Sequence, residues 1–183
     1  MDYSKLIIIA DTREQRNMHI TAKLSELGIK FKVKKLDFGD YSFTYDGINY
    51  ENIAVVERKS HLDELSGNFT VGRERFKNEF IRAFTVKTKV YLLVEDAKGR
   101  EKLAQRRFED ECKQKGLQYE EKKTYRSKFS GISFINSIVS WKEKYGFEIE
   151  FVSKSKSCDL MLQIFEKVVE ESSLSFGVGE HNG

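Results

Sequence analysis

Short apolar runs alternate with amphipathic stretches along the whole chain, and that alternation predicts an α/β architecture. "LIIIA" (6–10) and "VYLLVE" (90–95) are continuous apolar runs of strand length, the pattern of buried strands. Residues 17–27 put Ile20, Leu24 and Leu27 on one helical face and stop at Gly28. "IKFKVKK" (29–35) alternates with period two, predicting a half-exposed strand with Ile29, Phe31 and Val33 inward and lysines outward. Asp46-Gly47 lies between "YSFTY" and "INYENIAVVERK" and is the strongest short-range hairpin signal in the chain. It predicts that the "GDYSF" strand folds back beside "IAVVERK". Helical periodicity covers about 60–84 with a break near Gly67–Gly72. "FINSIVSWKEKYG" reads as a helix stopped by Gly146, "FEIEFV" alternates as a strand, and "DLMLQIFEKVVEE" is a closing helix. Leu160, Ile164 and Val168 share one face of that last helix, which suits core packing or self-association. There is no internal repeat and no linker dividing the chain; residues 172–183 read as a frayed tail after a single domain over 1–171.

Composition narrows the class. With 183 residues, 39% of them hydrophobic, one domain with a real core is expected. A net charge of +3 neither announces nor excludes a nucleic-acid partner, because local patches matter more than the total. The charge is uneven. Lys98–Lys128 holds eleven Lys or Arg against six Asp or Glu, a local +5 that leaves the remainder at −2. Such a stretch is either a DNA-contacting arm or a solvated helix laced with alternating charges. Cys112 and Cys158 stand alone, in no metal-ligand spacing, as in a reducing compartment. No run reaches membrane-spanning length, and "MDYSKLIIIAD" is too short and acidic for a signal peptide. The expectation is a soluble intracellular protein without a membrane partner, cytoplasmic or nucleoid-type, nuclear if eukaryotic. His19, His61 and His181 lack zinc spacing, and no glycine-rich phosphate loop is present, so no nucleotide cofactor is expected.

The strand "IAVVERK" poses the chemical question, because it ends in three successive charges. Side chains alternate faces in a strand, so Glu57 and Lys59 point one way and Arg58 the other. Asp40 lies six residues before Asp46 and Glu57 ten after Gly47, so a bulge or bend must absorb the difference if they are to meet. The meeting would put two carboxylates and a lysine at one sheet edge. Mg²⁺ is commonly held by one or two carboxylates with water and phosphate oxygens, and a lysine beside them stabilises negative charge on a phosphate. Asp-x(16)-Glu-x-Lys therefore fits phosphodiester hydrolysis; by spacing alone a solvated strand end fits it better.

The fuller text resembles a known family. "GDY…VERKSHLD" supplies Gly39-Asp40, Glu57-Arg58-Lys59 and Asp63, the ordered signature of the XPF-type structure-specific endonucleases. "IIIADTRE" adds Asp11, Arg13 and Glu14, and "GNFTVGR", "VYLLVE" and "YGFEIEF" follow in register over roughly 6–170. The resemblance implies a restriction-endonuclease-like core, a mixed central sheet flanked by helices, in an Mg²⁺- or Mn²⁺-dependent DNA endonuclease. It implies Asp11, Asp40 and Glu57 as metal carboxylates. Lys59 would assist the water, and Arg58 would hold the phosphate or the site's geometry. Asp63 would support the metal or, with Ser60, form a capping box. Glu14 would support the metal shell or sit solvated in its loop. Arg13 would contact DNA phosphate or pair with an acidic neighbour. Arg73 and Arg75 would line the nucleic-acid path or form a charged helix face.

Many members of that family carry a tandem helix-hairpin-helix module after the nuclease domain, for which these 183 residues leave no room. The expectation is weak, salt-sensitive DNA binding, relieved by a homodimer or by a DNA-binding partner protein. The expected substrate is branched or flapped duplex DNA in repair, recombination or phage DNA processing. The rival reading is a non-catalytic DNA-binding or scaffold member of the same family.

Overall fold

A computed structural model describes residues 1–177. Its centre is a seven-stranded mixed sheet in the order β2-β1-β3-β5-β6-β7, with β4 paired to β3. The strands are β1 (Leu6–Ala10), β2 (Lys30–Val33), β3 (Tyr41–Tyr45), β4 (Ile48–Asn49), β5 (Ala54–Lys59), β6 (Lys89–Val94) and β7 (Glu148–Phe151). The helices are α1 (Met18–Glu26), α2 (Leu62–Phe69), α3 (Arg73–Thr85), α4 (Gly99–Lys115), α5 (Gly131–Tyr145) and α6 (Ser157–Gly177). The expected tail is thus helical as far as Gly177; its last residues, 178–183, lie outside the described ones. β5, β6 and β7 run parallel, while β3 is antiparallel to both its neighbours β1 and β5.

Strand alternation divides the core into two layers. Ile8, Tyr41, Phe43, Ala54, Val56 and Leu93 pack under α1 and α6, where Ile20, Leu24, Met161, Phe165 and Val168 face them. Val55, Val90, Leu92 and Val94 pack on the opposite face under α2, α3 and α5. There Phe69, Phe76, Phe134 and Trp141 form an aromatic cluster with ring centroids 4.8–6.0 Å apart. Ile164 and Val168 belong to the first layer and Leu160 packs against it, so the apolar stripe of α6 is a core face.

Two expectations change. Phe31 and Val33 do not point inward: every residue of β2 is exposed, Phe31 by 40% and Val33 by 64%. β2 is the outermost strand, paired only to β1, and the core ends at Ile29. The Asp46-Gly47 turn forms with both residues at positive φ, as a two-residue hairpin requires. Its returning arm, however, is only β4. The chain then turns through Tyr50–Ile53, with Ala54 N donating to Tyr50 O, before β5 arrives beside β3. That turn supplies the bend needed to bring Asp40 level with Glu57, because Tyr41 registers opposite Val56.

Candidate active site

β3 and β5 meet at their charged ends. Asp40 N donates to Val56 O at 2.8 Å, and the Arg58 amide donates to Asp40 Oδ2 at 2.8 Å, so the carboxylate is clamped to the strand carrying Glu57 and Lys59. Gly39 makes this approach: it sits at φ +74°, and a Cβ there would lie 2.8 Å from Val55 Cβ and 3.3 Å from Val56 O. The Gly-Asp pair is therefore a steric requirement for seating the aspartate against β5.

Glu57 and Lys59 emerge on the α2/α3 face, as the alternation of β5 dictates, and Lys59 Nζ bonds Glu57 Oε1. The Phe76 ring lies 5.1 Å below the ammonium. Asp40, Glu57 and Lys59 line one cleft of about 180 Å³, with Arg13, Asn68, Arg75 and Glu79 around them. Burial and the neighbouring Glu57 carboxylate push Asp40 well above the ordinary carboxylate range. Burial pulls Lys59 down, but the Glu57 and Asp40 carboxylates outweigh it and hold the ammonium above its usual value. Burial and Glu57 also raise Glu79. Carboxylates crowded so closely in a desolvated cleft favour a bound cation; Asp40 and Glu57 suit a hard divalent ion that keeps water and phosphate oxygens as its other ligands.

Arg58 points to the other face. Its side chain is 7% exposed, and the guanidinium lies between two acids, with Nη2 to Glu14 Oε1 and Nη1 to Glu95 Oε2, both at 2.8 Å. His19 Nε2 contacts the second oxygen of Glu95. Burial opposes the charge on Arg58, yet the hydrogen bond to Glu14 and both carboxylates keep its pKa raised. Arg58 thus ties the end of β5 to Glu14 and Glu95.

The other expected residues divide. Asp11 is buried, and its carboxylate turns to the Arg13 side chain at 2.6 Å and to the Leu36 amide at 2.6 Å. Burial works against the ionised form, but those donors hold it below the usual carboxylate range. It is joined to Asp40 through the backbone, Asp11 N donating to Asp40 O at 2.8 Å, and it does not line the cleft. Among the described residues, no three His, Cys, Asp or Glu side chains group as a metal cage. Arg13 pairs with Asp11 while remaining on the cleft wall. Asp63 is not brought to the cleft; it accepts from the amides of Arg126 and Ser127. The cap of α2 lies one residue later than Ser60-x-x-Asp63 suggests. His61 caps the helix, accepting from Glu64 N, and Glu64 reaches back to the amide and hydroxyl of Ser60. Arg75 lines the cleft, whereas Arg73 lies over the Trp141 ring and donates to Phe69 O.

Sequence reasoning missed Glu95, Asn68 and Glu79. Glu95 had a signal: it ends the apolar run of β6 as Glu57 interrupts that of β5, and its amide donates to Lys59 O. Asn68 also had one, since it stands in the "GNFTVGR" stretch; Glu79 lies on a helix face where nothing marks it apart from solvated neighbours.

The family model described as the ERCC4 domain matches residues 10–164. Comparison with curated proteins gave no match. Among solved structures, XPF from Aeropyrum pernix is similar, with a TM-score of 0.58 and 18% identity, covering 91% of this chain and 65% of that one. XPF from Aeropyrum pernix in complex with DNA gives a TM-score of 0.55 at 18% identity, covering 92% of this chain and 66% of that one. The chain spans about two thirds of the length of these relatives. The shared architecture is the restriction-endonuclease-like fold.

Proposed function

The chain belongs to the ERCC4 domain family, a family of DNA structure-specific endonucleases, and from that premise we propose a divalent-metal-dependent endonuclease that hydrolyses phosphodiester bonds in branched or flapped DNA. The observation that carries the proposal is the convergence of Asp40, Glu57 and Lys59 in one cleft, from two strands joined by the Arg58–Asp40 hydrogen bond. The solved relative bound to DNA supports DNA as the substrate.

Asp40 and Glu57 would hold Mg²⁺ or Mn²⁺, which when bound acidifies water and neutralises charge on the scissile phosphate. Lys59 faces the same cleft as a fixed cation and stabilises negative charge there. Arg75 and Arg13, on the cleft wall, bind the flanking phosphates. Arg58, Glu14 and Glu95 keep β5 in place from behind. We assign the nuclease unit to 1–171 and place the protein in the DNA-containing compartment of the cell, with a second copy or a DNA-binding partner supplying further affinity.

The test is cleavage of linear, flap, fork and four-way DNA with Mg²⁺, Mn²⁺ or EDTA. Metal-dependent cleavage of branched substrates is expected. Binding without cleavage under every condition would instead identify a non-catalytic member of the family.

A further inference from the structure

A cavity of about 470 Å³ lies between α4 and the irregular segment 117–130, with Asp63 of α2 also in its wall. We infer that this cavity is a second nucleic-acid site, binding backbone phosphates of the duplex arm that leaves the cleft. The inference rests on the endonuclease reading for its choice of DNA, and on the cavity's own chemistry for its choice of phosphate.

Arg106, Lys122, Lys123 and Arg126 line it, and none of the four has a carboxylate partner among the described residues. Three other cations of α4 are paired instead. Arg100 pairs with Glu150, Lys102 with Asp96 and Arg107 with Glu111. Lys102 also lines the cavity, as do the acids Asp63 and Glu121, yet four of the five cations in its wall keep no carboxylate partner among the described residues. Two polar groups in its wall are also unpartnered: the Thr124 hydroxyl, in a residue 8% exposed, and Arg106 Nε, both buried. The Arg106 guanidinium lies 5.4 Å from the centre of the Tyr125 ring, which holds it in place.

The segment carrying these groups is pinned. Lys122 N donates to the buried Glu109, Arg126 N to Asp63 and Gly131 N to Asp110. Asp63 thus spends its carboxylate on the backbone, leaving the Arg126 side chain to solvent. Several unpaired donors converging on one concavity suit an oxyanion with several acceptors, which a backbone phosphate is. The link to the cleft runs across α2. Asp63 and Arg126 also line the adjoining cavity with His61 and Gly67, and the next residue, Asn68, lines the cleft.

The test is binding of a short DNA duplex by the full chain in EDTA across a salt series. The variant is Lys122→Ala/Lys123→Ala/Arg126→Ala, which removes exposed side chains and keeps the pinning amides. Each phosphate contact contributes roughly 0.9 to the slope of log K against log salt, so the slope should flatten by about 2.7 and low-salt affinity fall on the order of tenfold or more. The control Lys30→Ala/Lys32→Ala/Lys154→Ala removes the same charge from exposed residues elsewhere and should change the slope little. An unchanged slope in the first variant overturns the site, as does an equal loss in the control, which would reduce the effect to net charge. Displacement of DNA by dilute inorganic phosphate at constant ionic strength would reassign the cavity to a free anion. Tighter, equally mutation-sensitive binding of duplex RNA would reassign it to RNA. Because EDTA removes catalysis, an inactive cleft leaves a flattened slope standing as support, and an unchanged slope sinks the site even where cleavage is robust.

Discussion

Replacing Arg58 by methionine should destabilise the protein strongly without touching the cleft directly. Methionine keeps most of the apolar stem, so the change is chiefly the loss of the guanidinium. The group belongs to a side chain 7% exposed and is shared by Glu14 and Glu95, whose side chains are 8% and 1% exposed. Both acids would stay buried without their cation. Removing one partner from a buried ion pair costs about 3–5 kcal/mol, a large share of the roughly 5–15 kcal/mol available to a domain. At about 2–4 °C per kcal/mol for a chain of this size, Tm should fall by roughly 6–20 °C. Calorimetry at neutral pH on R58M, E95Q and the double variant provides the check. The double variant should be less damaged than the sum of the singles, by about 0.5–3 kcal/mol, because E95Q removes one of the stranded charges. A Tm for R58M within about 2 °C of the parent would mean less than about 1 kcal/mol and would refute the brace.

D40N should show the opposite sign. The folded pKa of Asp40 is raised, so the native state favours its protonated form; that stability is complete below the unfolded value of about 3.9 and is lost as pH rises through the folded value. The variant should therefore melt above the parent at neutral pH and match it below about pH 4, which a pH series of melts will read. E57Q and K59M should each abolish cleavage while DNA binding in Ca²⁺ persists; near-parental turnover in either would displace the assigned site. Mg²⁺ and Mn²⁺ should support cleavage and Ca²⁺ only binding, since Ca²⁺ takes more ligands at longer distances; robust cleavage in EDTA would contradict the metal assignment. G39A should lose roughly 1–2 kcal/mol from the positive φ alone, with cleavage falling further than binding as Asp40 shifts; denaturant titration and turnover together test it.

The sequence made some of this legible because some determinants are local. Asp46-Gly47 forces its turn by backbone preference, and the alternation of β5 assigns Glu57 and Lys59 to one face and Arg58 to the other whatever surrounds them. What it could not reveal depended on sheet position or on a distant partner. The period-two pattern of β2 looks half-buried, but only the strand order shows that it is an edge strand with one neighbour, β1. Asp11 reads as a metal carboxylate and Asp63 as a metal support or a capping residue; nothing local to either reveals the amides that donate to them, Leu36 N for one and Arg126 N for the other, far along the chain. The excess charge of 98–128 was visible, while its division into paired and unpaired cations was not.

The triplet Glu57-Arg58-Lys59 is contiguous in the text but serves two separate economies, one on each face of β5. Under the proposed function, a change at either outer letter would strike the chemistry and a change at the middle one the fold. On that same proposal, a relative that did not cut DNA would be free to drift at Glu57, Lys59 and Asp40, yet would still be held to the arginine and to the acids behind it. A surviving arginine in such a relative would therefore record ancestry and stability, whereas the letters on either side of it would record whether the enzyme still works.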